Sequence, residues 1–142
     1  MKSKIALFLI PLLLALQSIS VAQDTVPITG QIMQAFGDFT PPDPTGVEIP
    51  AANRQVLIFK GMFKEFKPND IPTHIVKTDK HGKFEIDLEP GIYTVGILVN
   101  RDIVSSGKRK DGFYEFYDLL RESTVKIHIV DKSTATYPNQ EK

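Results

Sequence analysis

The stretch TDKHGKFEIDLEPGIYTV, residues 78–95, decides how the chain is expected to fold. Asp79 and Gly82 suit the first and last positions of a type I turn, where glycine is free to take a positive φ. Apolar and charged residues then alternate over 83–88, which is the period of a half-buried strand. After a Pro-Gly turn, residues 92–99 are rich in the β-branched and aromatic types that favour strands. The stretch predicts two strands bounded by tight turns.

The same strand pattern recurs on both sides of this stretch. It predicts further strands at 28–36, 54–61, 73–78 and 122–131. In the second of these, Val56 and Ile58 alternate with Leu57 and Phe59, so both faces of the strand are apolar. A strand of this kind is expected near the middle of a sheet.

The order T-D-x-x-G-x-F-x-I-x-L-x-P-G-x-Y-x-V over 78–95 resembles the carboxypeptidase regulatory-like domain. Residues 28–32 look like the opening strand of that family and 55–59 like its second strand, so the resemblance extends from about 28 to 99. It implies an all-β, transthyretin-like fold, which is a seven-stranded antiparallel immunoglobulin-like β-sandwich, here over 23–132. It also implies an accessory module without catalytic residues.

Residues 1–22 match a secretory signal peptide. Lys2 and Lys4 precede an apolar run over 5–16, and small residues end the segment at 20–22. The run of about 12 residues is shorter than the roughly 20 that span a bilayer, so an uncleaved anchor is the less favoured alternative. No second apolar segment of that kind follows, so we expect an exported, periplasmic or extracellular protein without a mature transmembrane segment.

The composition excludes several classes of site. The chain has no cysteine, which excludes disulfides, thiolate metal sites and a lipid-modified cysteine. Its 17 basic and 17 acidic residues give no support to nucleic acid or an anionic membrane as partner. The fold must therefore be held by its apolar core.

Two segments are predicted as long loops. Residues 37–53 contain four prolines, which lack the amide donor that a sheet ladder needs. This loop either recognises a partner or packs on the edge of the sandwich. Residues 133–142 are expected to form a polar tail.

Aromatic residues supply the candidate binding site. Phe63 and Phe66 alternate with lysines in the insertion 60–72, an arrangement that suits sugar stacking or an anionic polymer, or else a cover over the sandwich. The segment 113–120 fits a helical period as well as a strand period. A weak correspondence with the central hairpin at an offset of 30 favours the strand. Its Tyr114 and Tyr117 complete the predicted ligand-binding set.

Groups for catalysis are few. His74, His81 and His128 have no zinc-motif spacing, and no nucleophile elbow, phosphate loop or calcium loop is present. The basic triplet 108–110 is typical of a solvated loop tip, with a specific anion site as the alternative. We therefore expect no enzyme, cofactor or metal. The preferred function is a non-catalytic module that binds an envelope or extracellular protein, and the alternative is a carbohydrate-binding module.

Overall fold

The computed structural model describes residues 24–138. The predicted signal peptide, 1–22, lies outside this range. Residues 24–138 hold nine strands and no helix. The strands are β1 (Val26–Asp38), β2 (Val47–Pro50), β3 (Gln55–Lys60), β4 (His74–Lys77), β5 (Lys83–Leu88), β6 (Ile92–Val99), β7 (Asp102–Ser105), β8 (Phe116–Asp118) and β9 (Val125–Thr136). Accordingly, no described residue belongs to a helix of the length and apolarity that crossing a bilayer requires.

The strands form two sheets. In the first sheet, β1 is central: β9 runs along one side of it, while β5 and β2 share the other side. The second sheet has the order β4-β3-β6-β7, with β8 pairing the start of β6 beside β7. The central position expected for β3 is confirmed, since it lies between β4 and β6.

One apolar core lies between the two sheets. The first sheet contributes residues such as Ile28, Ile32 and Ile129, and the second contributes Val56 and Ile97, all fully buried. Their positions follow the alternation along each strand, because every second side chain faces the same way. The all-β class is therefore confirmed, and the two sheets face each other as in a β-sandwich.

The turn before β5 has the predicted geometry. Gly82 has φ +69°, and its N–H donates to the carbonyl of Asp79 at 3.0 Å. The Asp79 carboxylate accepts the backbone N–H groups of His81 and Lys83 at 2.8 and 2.9 Å. The hydrogen bond with Lys83 is the main cause that lowers the pKa of Asp79. Asp79 is thus a turn residue, as the sequence indicates.

Four features differ from the expectations. Nine strands are described rather than seven, because short strands pair alongside longer neighbours. β9 runs parallel to β1, which is possible because the chain crosses from the second sheet to the first before β9 begins. The predicted loop 37–53 contains β2, an edge strand where proline is tolerated. Finally, β9 continues to Thr136, so the predicted tail begins as a strand.

Candidate binding surface

An aromatic cluster covers one end of the outer face of the second sheet. Phe59 of β3 is buried at its base. The Phe66 ring lies 4.9 Å from that of Phe59, 5.5 Å from Phe63 and 4.7 Å from Tyr114, measured between centroids. The last two contacts are stacked, with interplanar angles of 24° and 14°. Three of the four predicted site residues, Phe63, Phe66 and Tyr114, are therefore brought together.

Hydrogen bonds connect the two loop segments that carry these rings. The backbone N–H of Tyr114 donates to the carbonyl of Phe63 at 2.8 Å. Thr94, fully buried in β6, donates its hydroxyl to the carbonyl of Gly61 at 2.7 Å. The insertions around 61–72 and 107–116 thus form one cover that is fastened to the sheet below it.

Cations lie over the rings at the rim of this cover. Lys64 Nζ is 4.8 Å from the Phe113 centroid, Lys108 Nζ is 4.8 Å from that of Tyr114, and the guanidinium of Arg109 is 4.5 Å from that of Phe116. Together with the ring stacking, these contacts occupy much of the ring surface that a sugar would stack on. At Tyr114 in particular, both Phe66 and Lys108 lie against the ring.

Tyr117 lies apart from the other three predicted residues. It is on β8 and packs against the core cluster between the sheets, while its hydroxyl is 3.3 Å from that of Ser106. Burial raises the pKa of Tyr117, partly offset by this hydrogen bond. Because neighbouring strand residues point to opposite faces, the face of Phe116 is the one that carries the aromatic cluster.

Elsewhere on the outer face of the second sheet, two apolar side chains are open to solvent. Ile75 of β4 is 59% exposed and Leu98 of β6 is 39% exposed. Leu98 lies opposite Ile103 of β7, and Ile75 lies opposite Leu57 of β3. Sequence analysis did not select these residues as a site, although the two apolar faces of β3 were a signal for this surface.

The outer face of the first sheet is polar by contrast. A shallow cavity of about 590 Å³ on it is lined by side chains that include Thr29, Lys83, Glu85, Lys126 and His128. Alternating polar residues are what the solvated face of an antiparallel pair normally shows. The two outer faces of the molecule therefore differ in chemistry.

The histidines occupy different elements of the part of the chain that the structure describes. The three histidines lie on β4, in the turn before β5 and on β9. Residues 24–138 contain no group of three or more His, Asp or Glu side chains that could hold a metal ion.

Comparisons with known proteins leave the family open. No protein-family model matches the chain, and no curated protein matches it. Among solved structures, it is similar to a candidate carbohydrate-binding protein from Pseudomonas aeruginosa, with 12% identity over 75% of this chain and 88% of that one, at a TM-score of 0.41. It is also similar to the major plantain pollen allergen Pla l 1, with 14% identity over 82% of this chain and 99% of that one, at a TM-score of 0.45. The Bacillus anthracis TIE protein is similar with 16% identity over 74% of this chain and 16% of that one, at a TM-score of 0.37.

Proposed function

We propose that the chain is an exported, non-catalytic β-sandwich module that binds another protein of the cell envelope or extracellular space. We further propose that it is a transthyretin-like relative of the carboxypeptidase regulatory-like domains, on the sequence pattern of 78–95. Export is proposed from the leader pattern in 1–22.

The observation that carries the binding function is the open apolar part of the outer face of the second sheet. Ile75 and Leu98 occupy positions on this face where a solvated sheet normally carries polar side chains. Exposed apolar surface that is rimmed by polar groups marks interaction sites, and the cations around the aromatic cover supply such a rim. A protein surface can bury the apolar side chains and pair with the rim at once.

Cross-linking of the exported protein in its native envelope, followed by mass spectrometry, tests this function. We expect one dominant partner, which Leu98→Asp removes because it places a charge in the apolar contact. The control Thr29→Asp introduces the same charge on the polar face of the first sheet and should keep the partner. Recovery of the monomer alone, or equal recovery with both variants, contradicts the proposal.

Carbohydrate is the second candidate ligand, because Phe63, Phe66 and Tyr114 do lie together at the surface and are half-buried. Lys108 lies over the Tyr114 ring, so a sugar that stacks there has to displace it. Lys108→Ala should then strengthen binding on a glycan array. If neither the natural chain nor this variant binds any glycan, this candidate is removed.

A further inference from the structure

We propose that the partner binds as an added strand along the free edge of β4 and that its sequence places an acidic residue two positions from an apolar one. This inference rests on the proposed function, since it specifies how the protein partner meets the second sheet. The added strand would extend the sheet beyond β4, a mode in which backbone hydrogen bonds give affinity and alternate side chains give specificity.

The backbone of β4 supplies the edge. Within residues 24–138, β4 pairs only with β3. The N–H of Thr78 donates to the carbonyl of Arg54 at 3.0 Å. Hydrogen-bonded and non-hydrogen-bonded pairs alternate along an antiparallel ladder, so Val76 and His74 bond to β3. The N–H and C=O groups of Ile75 and Lys77 consequently point to the free edge.

The side chains of those same two residues define the specificity. Ile75 and Lys77 lie opposite Leu57 and Gln55, on the outer face of the second sheet. A strand added beside β4 therefore places one side chain next to Ile75 and another, two residues away, next to Lys77. An apolar residue suits the first position, because Ile75 is 59% exposed. An acidic residue suits the second, because opposite charges across a strand pair are stabilising.

The charge distribution supports an acidic partner over a second copy of this chain. The segments 61–72 and 107–116, which form the cover on this face, carry five basic and four acidic residues. The rest of residues 24–138 carries nine basic and twelve acidic residues. A second copy docked through the same face would bring its own cations against these, and like charges that face each other are destabilising.

The opposite side of β4 restricts where the acid can stand. Val76, the residue between Ile75 and Lys77, is partly buried and packs against the core on this side. The residue between the apolar and the acidic positions of the added strand points to this side. It would stand beside Val76, where a neutral or apolar side chain suits the apolar surroundings and a carboxylate does not, so the spacing of two is required as well as the charge.

Two peptides of identical composition test the spacing. The probe is acetyl-Ser-Glu-Thr-Val-Thr-Glu-Ser-amide, which places a Glu two residues from Val in either strand direction. The control, acetyl-Ser-Thr-Glu-Val-Glu-Thr-Ser-amide, moves each Glu to the opposite face. In an NMR titration of the exported protein, we expect the probe alone to shift the amides of Ile75 and Lys77. Equal shifts with both peptides, shifts only elsewhere, or no shifts overturn the inference.

Substitutions at Lys77 distinguish the contribution of its backbone N–H to peptide binding from that of its positive charge. Lys77→Ala and Lys77→Pro both lose the cation, but only proline removes the edge N–H, and it breaks no bond to β3. We expect Lys77→Pro to abolish the probe's shifts and Lys77→Ala to weaken binding only about threefold. Lys77→Glu should weaken the Glu probe and favour the same peptide with Lys in place of Glu. Equal binding by the alanine and proline variants contradicts strand addition.

The cross-linking experiment in the envelope distinguishes failure of this inference from failure of the proposed function. If Leu98→Asp removes the cross-linked partner while Lys77→Pro keeps it, the module binds through the outer face without strand addition, and the inference fails alone. If no partner is recovered from the natural chain, the proposed function itself fails. Loss of the partner with both variants supports both.

Discussion

Asp131 shows how one residue joins the two sheets. Its side chain is 1% exposed in the described structure. One carboxylate oxygen, Oδ1, accepts the N–H of Ser133 at 2.9 Å. The other, Oδ2, is buried without an aligned hydrogen bond and lies 3.3 Å from Arg54 Nη2, which also donates to Gln34 at 2.8 Å. The ion pair therefore compensates the burial of this oxygen across the interface between the sheets.

Removing one partner of this ion pair should cost far more than removing an exposed one. We expect Asp131→Ala to lower the free energy of unfolding by about 3 kcal/mol, because it leaves Arg54 without its buried counter-charge. The control Arg121→Ala breaks the ion pair between Arg121, which is 87% exposed, and Asp118. It should lower the free energy of unfolding by less than about 0.5 kcal/mol. Urea unfolding measures both values, and equal losses would contradict the bridging role of Asp131.

At the scale of the hairpin, two turn glycines both have a positive φ but differ in how crowded their surroundings are. Gly82 and Gly112 have similar φ values, +69° and +85°. A Cβ on Gly82 would collide with the carbonyl oxygen of Ile32, whereas nothing lies within 4 Å of one on Gly112. The turn before β5 is therefore tight against β1, while the turn before β8 is open.

Alanine at each of these positions should reveal the difference in thermal unfolding. Gly112→Ala should cost about 1 kcal/mol, the penalty of a left-handed conformation for a residue with a Cβ. Gly82→Ala carries the same penalty and must also displace backbone atoms, so we expect a loss of more than 2 kcal/mol. Equal losses would mean that the turn before β5 moves freely away from β1.

Local patterns predicted the elements whose causes are local. The turn at 79–82, the strand β5 and the alternation of β3 depend on residues that are close in sequence, and each is confirmed. The strand β2 was missed because its pairing with β1 overrides the proline signal of its segment. The parallel partnership of β9 with β1 joins residues about a hundred positions apart, a contact that periodicity does not encode.

The candidate site was predictable to the same degree. Phe63 and Phe66 are near in sequence and share the cover with Tyr114, so their type and spacing were informative. Tyr117 was grouped with them as an aromatic residue of the same segment, although the strand interpretation puts it and Phe116 on opposite faces. In a strand, a shift of one residue exchanges the faces, and Tyr117 points to the core while Phe116 lies on the outer side.

At the scale of the whole molecule, the two outer faces of the sandwich expose different kinds of side chain. The first sheet presents lysines, carboxylates and a histidine to solvent around its shallow cavity. The second sheet presents Ile75, Leu98 and the aromatic cover. Because exposed apolar surface is unfavourable in water, the open side chains of Ile75 and Leu98 are the reason that we propose binding on the second sheet.

The end of β9 provides the last prediction, because the sequence indicated a tail where the structure has a strand. Residues 133–136 lie beside β1, and Thr134 donates its hydroxyl to the carbonyl of Ala35 at 2.8 Å. Beyond them, the rings of Tyr137 and Phe39 stack with centroids 4.6 Å apart. A chain that stops after Lys132 should therefore be about 2 kcal/mol less stable in urea unfolding than one that stops after Pro138. Equal stability of the two truncated chains would show that the segment behaves as the tail its composition suggests.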